Sequence, residues 1–258
     1  MPTLTSACLA RSFLQMRQWS LMLSSSLTST PGRLLRSLLE GISRRLASLL
    51  RNGGVMISFE PNVSATVRTN DGKHFWVGPG ARWGDAYDVT GQTNQVVVRG
   101  RLGHIGVGGF VLGGGLSFYS AQYIRRILQE QVQDTSLTTP QGLACDNADE
   151  IEAVLANGTI VTASSTSNPD LWWALRGGGN RFAIITNLKL QAHPAGDNGR
   201  VWAGIRTYNP SKRKDLFKVI TNFVRDYPDA KAAVIPRFQF GAPLNLINVV
   251  GGGPLFSF

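Results

Sequence analysis

The stretch RGRLGHIGVGGFVLGGGLSFYSAQY, residues 99–123, holds eight glycines in 25 residues. Glycine loses more conformational entropy on folding than any other residue, so such a cluster lowers stability unless the backbone needs it. Three arrangements need it: a sharply turning loop, close packing of backbone, or a ligand approaching main-chain N–H groups. This stretch is the second of three glycine stretches in chain order, the first being VGPGARWGD (77–85) and the third RGGGNRFAIIT (176–186), each at the end of an expected strand or helix. Loops of this kind can converge and offer backbone donors to an elongated anionic ligand such as a dinucleotide. Ordinary tight turns are the competing reading. The two common phosphate cradles are excluded. Gly78, Gly103, Gly106, Gly113, Gly177 and Gly251 all fail as starts of G-x-G-x-x-G, and no Gly-Lys-Ser/Thr triplet exists for a P-loop.

Composition narrows the classes further. The 258 residues suffice for one large domain, or one domain and part of a second. A hydrophobic content of 43%, with 12 Phe and 6 Trp, is enough for a real core. The net charge of +10 is unevenly spread, because residues 1–52 contain seven Arg and only one acid, Glu40. The rest is mildly basic and has no basic stripe interleaved with aromatics, so no nucleic-acid partner is expected. No apolar run reaches the roughly 18–20 residues of a membrane span, so no membrane partner is expected either. Cys8 and Cys145 lie in unrelated contexts and imply no disulfide framework. His74, His104 and His193 are isolated, so no metal site is expected. The Arg/Ser/Leu-rich leader resembles a mitochondrial transit peptide in composition. An unstructured or spurious leader fits equally, a secretory signal fits poorly, and the compartment stays open.

From Gly53 onward the pattern is one of short strands and turns. GVMISFE (54–60) predicts a strand, and SATVRTNDGKHFWVGPG (64–80) a hairpin turning at Asn70-Asp71-Gly72. ARWGDAYDVT (81–90) predicts a short helix and QVVVRG (95–100) a strand. EIEAVLANGTIVTAS (150–164) predicts two strands joined by a two-residue Asn157-Gly158 turn. SNPDLWWALRGGG (167–179) predicts a helix with Asn168 as N-cap, Pro169 at its first position and Gly177 as its stop. FAIITNLKLQA (182–192) predicts a strand, and Pro194–Gly199 a loop. Beyond it VWAGIRTY, SKRKDLFKVITNFVRDY and AAVIPRFQF read as strand, helix and strand opening a new unit, which the tail from Asn245 cuts short. The fold class is α+β with hairpins rather than regular βαβ winding.

The three glycine stretches, in this order and spacing, resemble the FAD-linked oxidoreductases of the vanillyl-alcohol oxidase type, with their PCMH-type FAD-binding domain, and in particular the berberine-bridge-enzyme-like branch. The resemblance is carried by Gly78–Asp85, by Gly106–Gly109 with Leu112–Ser117, and by Ala144–Asn147 followed by residues 154–186. It covers roughly residues 53–240. It implies a flavoprotein: FAD held by backbone donors, with Gly106, Val107, Gly108, Gly109, Gly113 and Gly114 on one side and Gly179, Phe182 and Ile184 on the other. It also implies hydride transfer from a small organic substrate to the flavin, with oxygen as the re-oxidant. The corresponding organisation is a leader (1–52), an FAD-binding domain of two α+β subdomains incomplete at its N-terminus (53–194), and the truncated beginning of an antiparallel-sheet substrate domain (195–258).

The sequence departs from that family in three places. The segment before Gly53 lacks the glycine run and histidine of the family's pyrophosphate loop, and Leu102 stands where some members carry a flavin-linking Cys, so FAD, if bound, is expected to be non-covalent. Residues 124–141 interrupt an otherwise continuous AQYGLACDN, as a retained intron would. No catalytic base is identifiable, and the substrate and oligomeric state are open. The competing reading is a non-catalytic, truncated remnant that does not bind FAD. Among single residues, Cys145 reads as a buried structural thiol, His104 as a loop residue facing either flavin or solvent, and Asp85 and Asp170 as helix-start acids. Trp172 and Trp173 are expected to split between core and surface. Arg82 and Arg176 read as solvated or salt-bridged, and Ser117 and Ser120 lack a histidine for hydrolase chemistry.

Overall fold

The structure is a computed structural model and describes residues 35–38, 55–59, 63–120, 142–195, 202–226, 232–237 and 245–251. The fold is α+β and divides into two compact units, Met1–Ser117 with Leu143–Pro194, and Phe118–Gly142 with Ala195–Phe258.

The first unit is built on a five-stranded antiparallel sheet. Its strands are β3 (Thr66–Arg68), β4 (His74–Val77), β6 (Ala148–Val154), β7 (Ile160–Ser164) and β8 (Ile184–Gln191), in the order β3-β4-β8-β6-β7. The central strand β8 pairs with both β4 and β6, and Ile185, Leu188 and Leu190 are buried there with Phe75, Val77, Ile151 and Ala153. Two register shifts interrupt the β6–β8 pairing, leaving Asp149 as the extra residue on β6 and Thr186 as the extra residue on β8. Such bulges re-aim side chains. Asp149 Oδ2 lies 2.7 Å from His74 Nε2, and its Oδ1 accepts from Gln191 Nε2 at 2.7 Å, so one carboxylate ties β4, β8 and β6 together. Buried Thr186 donates to Glu152 Oε1 at 2.6 Å.

A second apolar cluster joins Ile57, Phe59 and Val63 to Val154, with Ala65, Ile160 and Ile184 against it. It anchors β2 (Val55–Ser58), which pairs in parallel with β1 (Leu35–Leu38), a strand drawn from the segment read as leader. The short strands β5 (Gln95–Val96) and β9 (His193–Pro194) pair with each other. Among the described residues of the unit lie three helices, α1 (Trp83–Gly91), α2 (Val107–Leu112) and α3 (Pro169–Leu175).

The second unit carries a three-stranded antiparallel sheet of β10 (Trp202–Tyr208), β12 (Asn245–Gly251) and β11 (Ala233–Arg237), in that order. Helix α4 (Arg213–Asp226) packs Leu216, with Ile220, against Tyr208 and Val234.

Several local expectations are corrected. The β6–β7 connection is not a two-residue turn. Gly158 N donates to Leu155 O, Leu155 N donates to Thr159 O, and Gly158 has φ +82°, which is the three-residue hairpin loop with glycine at its left-handed position. Asn168 precedes α3 but its side chain does not cap it; Asn168 is left-handed and its Nδ2 donates back to Thr162 O at 2.9 Å. QVVVRG yields only the two-residue β5, because Val97 and Val98 are buried in the core without strand pairing. Residues 245–251 of the tail form β12, the middle strand of its sheet. Segments 1–34, 39–54 and 121–141, which include most of the leader and the inserted segment, lie outside the described residues.

Candidate cofactor site

Helix α1 begins at the end of the first glycine stretch, and the loop from Gly100 to Ile105 is laid along its first turns. Gly84 N donates to Gly103 O at 2.8 Å, Trp83 N to Ile105 O at 3.0 Å, and Arg82 Nη1 to His104 O at 3.0 Å. The Tyr87 hydroxyl donates to Gly100 O. Four loop carbonyls therefore face α1. In a trans peptide the N–H of the next residue points opposite to the carbonyl, so the amides of His104 and Gly106 are directed away from α1. Backbone and backbone approach closely here: a Cβ on Gly103 would lie 3.4 Å from Gly84 Cα.

The second link joins the start of α2 to the first stretch. Val107 N donates to Ala81 O at 2.8 Å and Gly108 N to Pro79 O at 3.1 Å, while Arg82 and Gly106 face each other as an isolated antiparallel bridge. At the far end of α2, Gly113 N donates to Gly109 O and Gly114 N to Val111 O, closing the helix. The amides of Val107, Gly108, Gly113 and Gly114 are thus committed to backbone acceptors. Of the sequence-derived candidates, Gly106 and Gly109 have amides with no backbone acceptor among the described residues.

The third stretch completes the arrangement. The turn Gly179–Arg181 packs against α2. Gly179 has φ +71° with open space where a Cβ would be, and Phe182 is 50% exposed beside it. Gly178 is fixed by crowding instead, since a Cβ there would lie 2.2 Å from Ala174 O. Ile184, half-buried, packs its side chain against the Phe59–Val63 cluster and pairs with Val154 in the sheet. All three glycine stretches therefore meet: the first is hydrogen-bonded to the second, and the third is packed on the second.

The remaining singled-out residues have plain structural roles. Arg176 Nη2 lies 2.6 Å from Asp146 Oδ1, its Nε donates to Cys145 O at 3.0 Å, and its guanidinium stacks 4.2 Å over the Trp172 ring. Trp172 Nε1 donates to Ala148 O, whereas Trp173 is 77% exposed. Cys145 is buried, and burial, reinforced by the nearby Asp146 charge, pushes its thiol up to about 11, so it is no nucleophile at neutral pH. Asp85 and Asp170 lie in the first turns of α1 and α3. His104 is exposed in the loop, His74 contacts Asp149, and His193 Nε2 donates to Asn147 Oδ1 at 2.8 Å. Among the described residues no three His, Cys, Asp or Glu side chains cluster as metal ligands, and no helix is long and apolar enough to cross a membrane. Sequence reading missed Tyr87 as a loop anchor; its signal was the i, i+4 spacing from Trp83, which places both rings on one helix face.

No protein-family model matches the chain. By sequence it is 38% identical over 179 residues to the FAD-dependent monooxygenase tpcD of Cochliobolus heterostrophus, covering 69% of this chain and 30% of that protein. By structure it superposes on BBE-like 1 of Physcomitrella patens with a TM-score of 0.74 at 22% identity, covering 91% of this chain and 47% of that one. It also superposes on glucooligosaccharide oxidase of Acremonium strictum, whose cofactor is described as 6-S-cysteinyl, 8α-N1-histidyl FAD, with a TM-score of 0.66 at 21% identity, covering 90% and 45%. By sequence the matched residues are thus similar to FAD-linked oxidoreductases. The fold is the berberine-bridge-enzyme-like one, and the chain spans about 30% of the length of the curated relative named here.

Proposed function

We propose that this chain holds FAD at the junction of its three glycine stretches and forms the cofactor-holding part of an oxidoreductase acting on a small organic substrate. The observation that carries the reading is the orientation of the 100–106 loop: its carbonyls are tied to α1, and the amides of His104 and Gly106, with that of Gly109, are left to face an anion. A diphosphate seeks N–H donors of this kind. The open, left-handed turn at Gly179 and the exposed ring of Phe182 are our candidates for the opposite wall, with Ile184 beside them. When bound, FAD supplies the hydride acceptor; the chain's own residues bind and orient it. Oxygen is the proposed final acceptor, in keeping with the monooxygenase and oxidase names of the relatives. In this reading residues 53–194 are the FAD-binding part and residues 195–258 the beginning of a substrate domain.

The attachment is proposed to be non-covalent. Leu102, 56% exposed, occupies the loop position aligned with a linking Cys, and the His74 and His193 side chains are engaged by Asp149 and Asn147. Titration of the purified chain with FAD, followed by flavin fluorescence quenching, tests the reading: saturable quenching supports it, and a folded chain that leaves flavin fluorescence unchanged returns the account to a non-binding remnant. The commitment of four predicted donor amides to backbone acceptors is the observation that favours that second outcome.

A further inference from the structure

We infer that Tyr87 is a positioning residue for the cofactor loop, acting through Gly100; this rests on the FAD reading above. Of the four attachments that lay the loop along α1, the one at its beginning is made by the Tyr87 hydroxyl on Gly100 O. Gly100 also lies against the buried Trp83 indole, so closely that a Cβ on Gly100 would lie 2.4 Å from Trp83 Cδ1. The Tyr87 ring is itself braced, stacked on Trp83 at 6.4 Å between centroids and covered by the Arg99 guanidinium at 3.9 Å. Trp83 in turn meets Phe110 of α2 edge-on at 5.5 Å. One aromatic column therefore spans α1, the loop start and α2, and a single hydroxyl fixes the height of Gly100 in it. The amides of His104 and Gly106 lie a few residues downstream on the same laid-down loop, so releasing Gly100 loosens the donors without touching any ligand contact.

The test is Tyr87→Phe, which removes one oxygen and keeps the ring packing. Thr69→Ala serves as the control: it removes a hydroxyl that bonds Asp71 and His74 in the β3–β4 turn, outside the glycine stretches. In Tyr87→Phe the FAD dissociation constant rises roughly three- to tenfold, the consequence of one net hydrogen bond. In Thr69→Ala it stays at the wild-type value. Amide hydrogen exchange without FAD is measured in parallel, and residues 101–106 exchange faster in Tyr87→Phe alone. Equal affinity and equal exchange in Tyr87→Phe and wild type overturn the inference, as does an equal affinity loss in the Thr69 control. A wild-type chain that binds no FAD sinks the cofactor reading instead, and the exchange comparison then decides the positioning role by itself.

Discussion

Arg176, the first residue of the third glycine stretch, is ion-paired with Asp146 at 2.6 Å, their side chains 9% and 17% exposed. The same arginine donates to Cys145 O, and Cys145 N donates to Gly114 O, so the pair connects the third glycine stretch to the second. Removing one partner of a buried pair strands the other charge away from water. Arg176→Ala is expected to destabilise the first unit by about 3 kcal/mol, read by urea unfolding. Arg176→Lys recovers only part, because an ammonium cannot serve two acceptors with a rigid fork.

The hairpin loop between β6 and β7 depends on one conformation at one residue. Gly158 has φ +82°, a region that strains a Cβ. Gly158→Ala is expected to cost roughly 1–2 kcal/mol, whereas Ala156→Gly in the same loop costs well under that. Thermal melts of the two variants make the comparison.

Leu188 is fully buried at the centre of the sheet, pairing with Val77 on one side and Ile151 on the other. Leu188→Ala leaves a cavity that neighbouring strands cannot collapse into, and it is expected to cost about 2–5 kcal/mol. An unchanged unfolding midpoint would argue against this sheet order.

The Cys145 thiol, pushed up to about 11 by burial, stays protonated in the folded chain over the range where an unfolded thiol ionises. The folded state then binds more protons than the unfolded one, so stability falls as pH rises from the ordinary thiol value of about 8.5 toward that raised value. At about pH 8 iodoacetamide should alkylate Cys145 far more slowly in the native chain than in denaturant, read on the Cys145 peptide by mass spectrometry.

Much of this architecture was legible because it rests on local rules. The Asn70-Asp71-Gly72 turn, α1, α3 with Pro169 at its start, and β8 all follow from turn chemistry and periodicity, and they are found where those rules place them. What escaped depends on partners distant in sequence. The strand β12 is defined by its place between β10 and β11, pairings that the local sequence does not announce. The bulge at Asp149 has no sequence signal, because it exists only in the register of β6 against β8. At the candidate site, glycine spacing located the three stretches but not their hydrogen bonding. Which amides are spent on Pro79 and Ala81, and which are left over, is decided by how the loop lies along α1.

The central claim is that these leftover amides hold FAD without a covalent bond. The most direct measurement is the visible absorption of the chain after saturation with FAD and removal of excess, recorded before and after acid precipitation. The account predicts a flavin spectrum on the native protein that passes wholly into the supernatant. Flavin retained in the pellet would contradict the non-covalent attachment, and a folded chain that stays colourless after saturation would contradict the cofactor site itself.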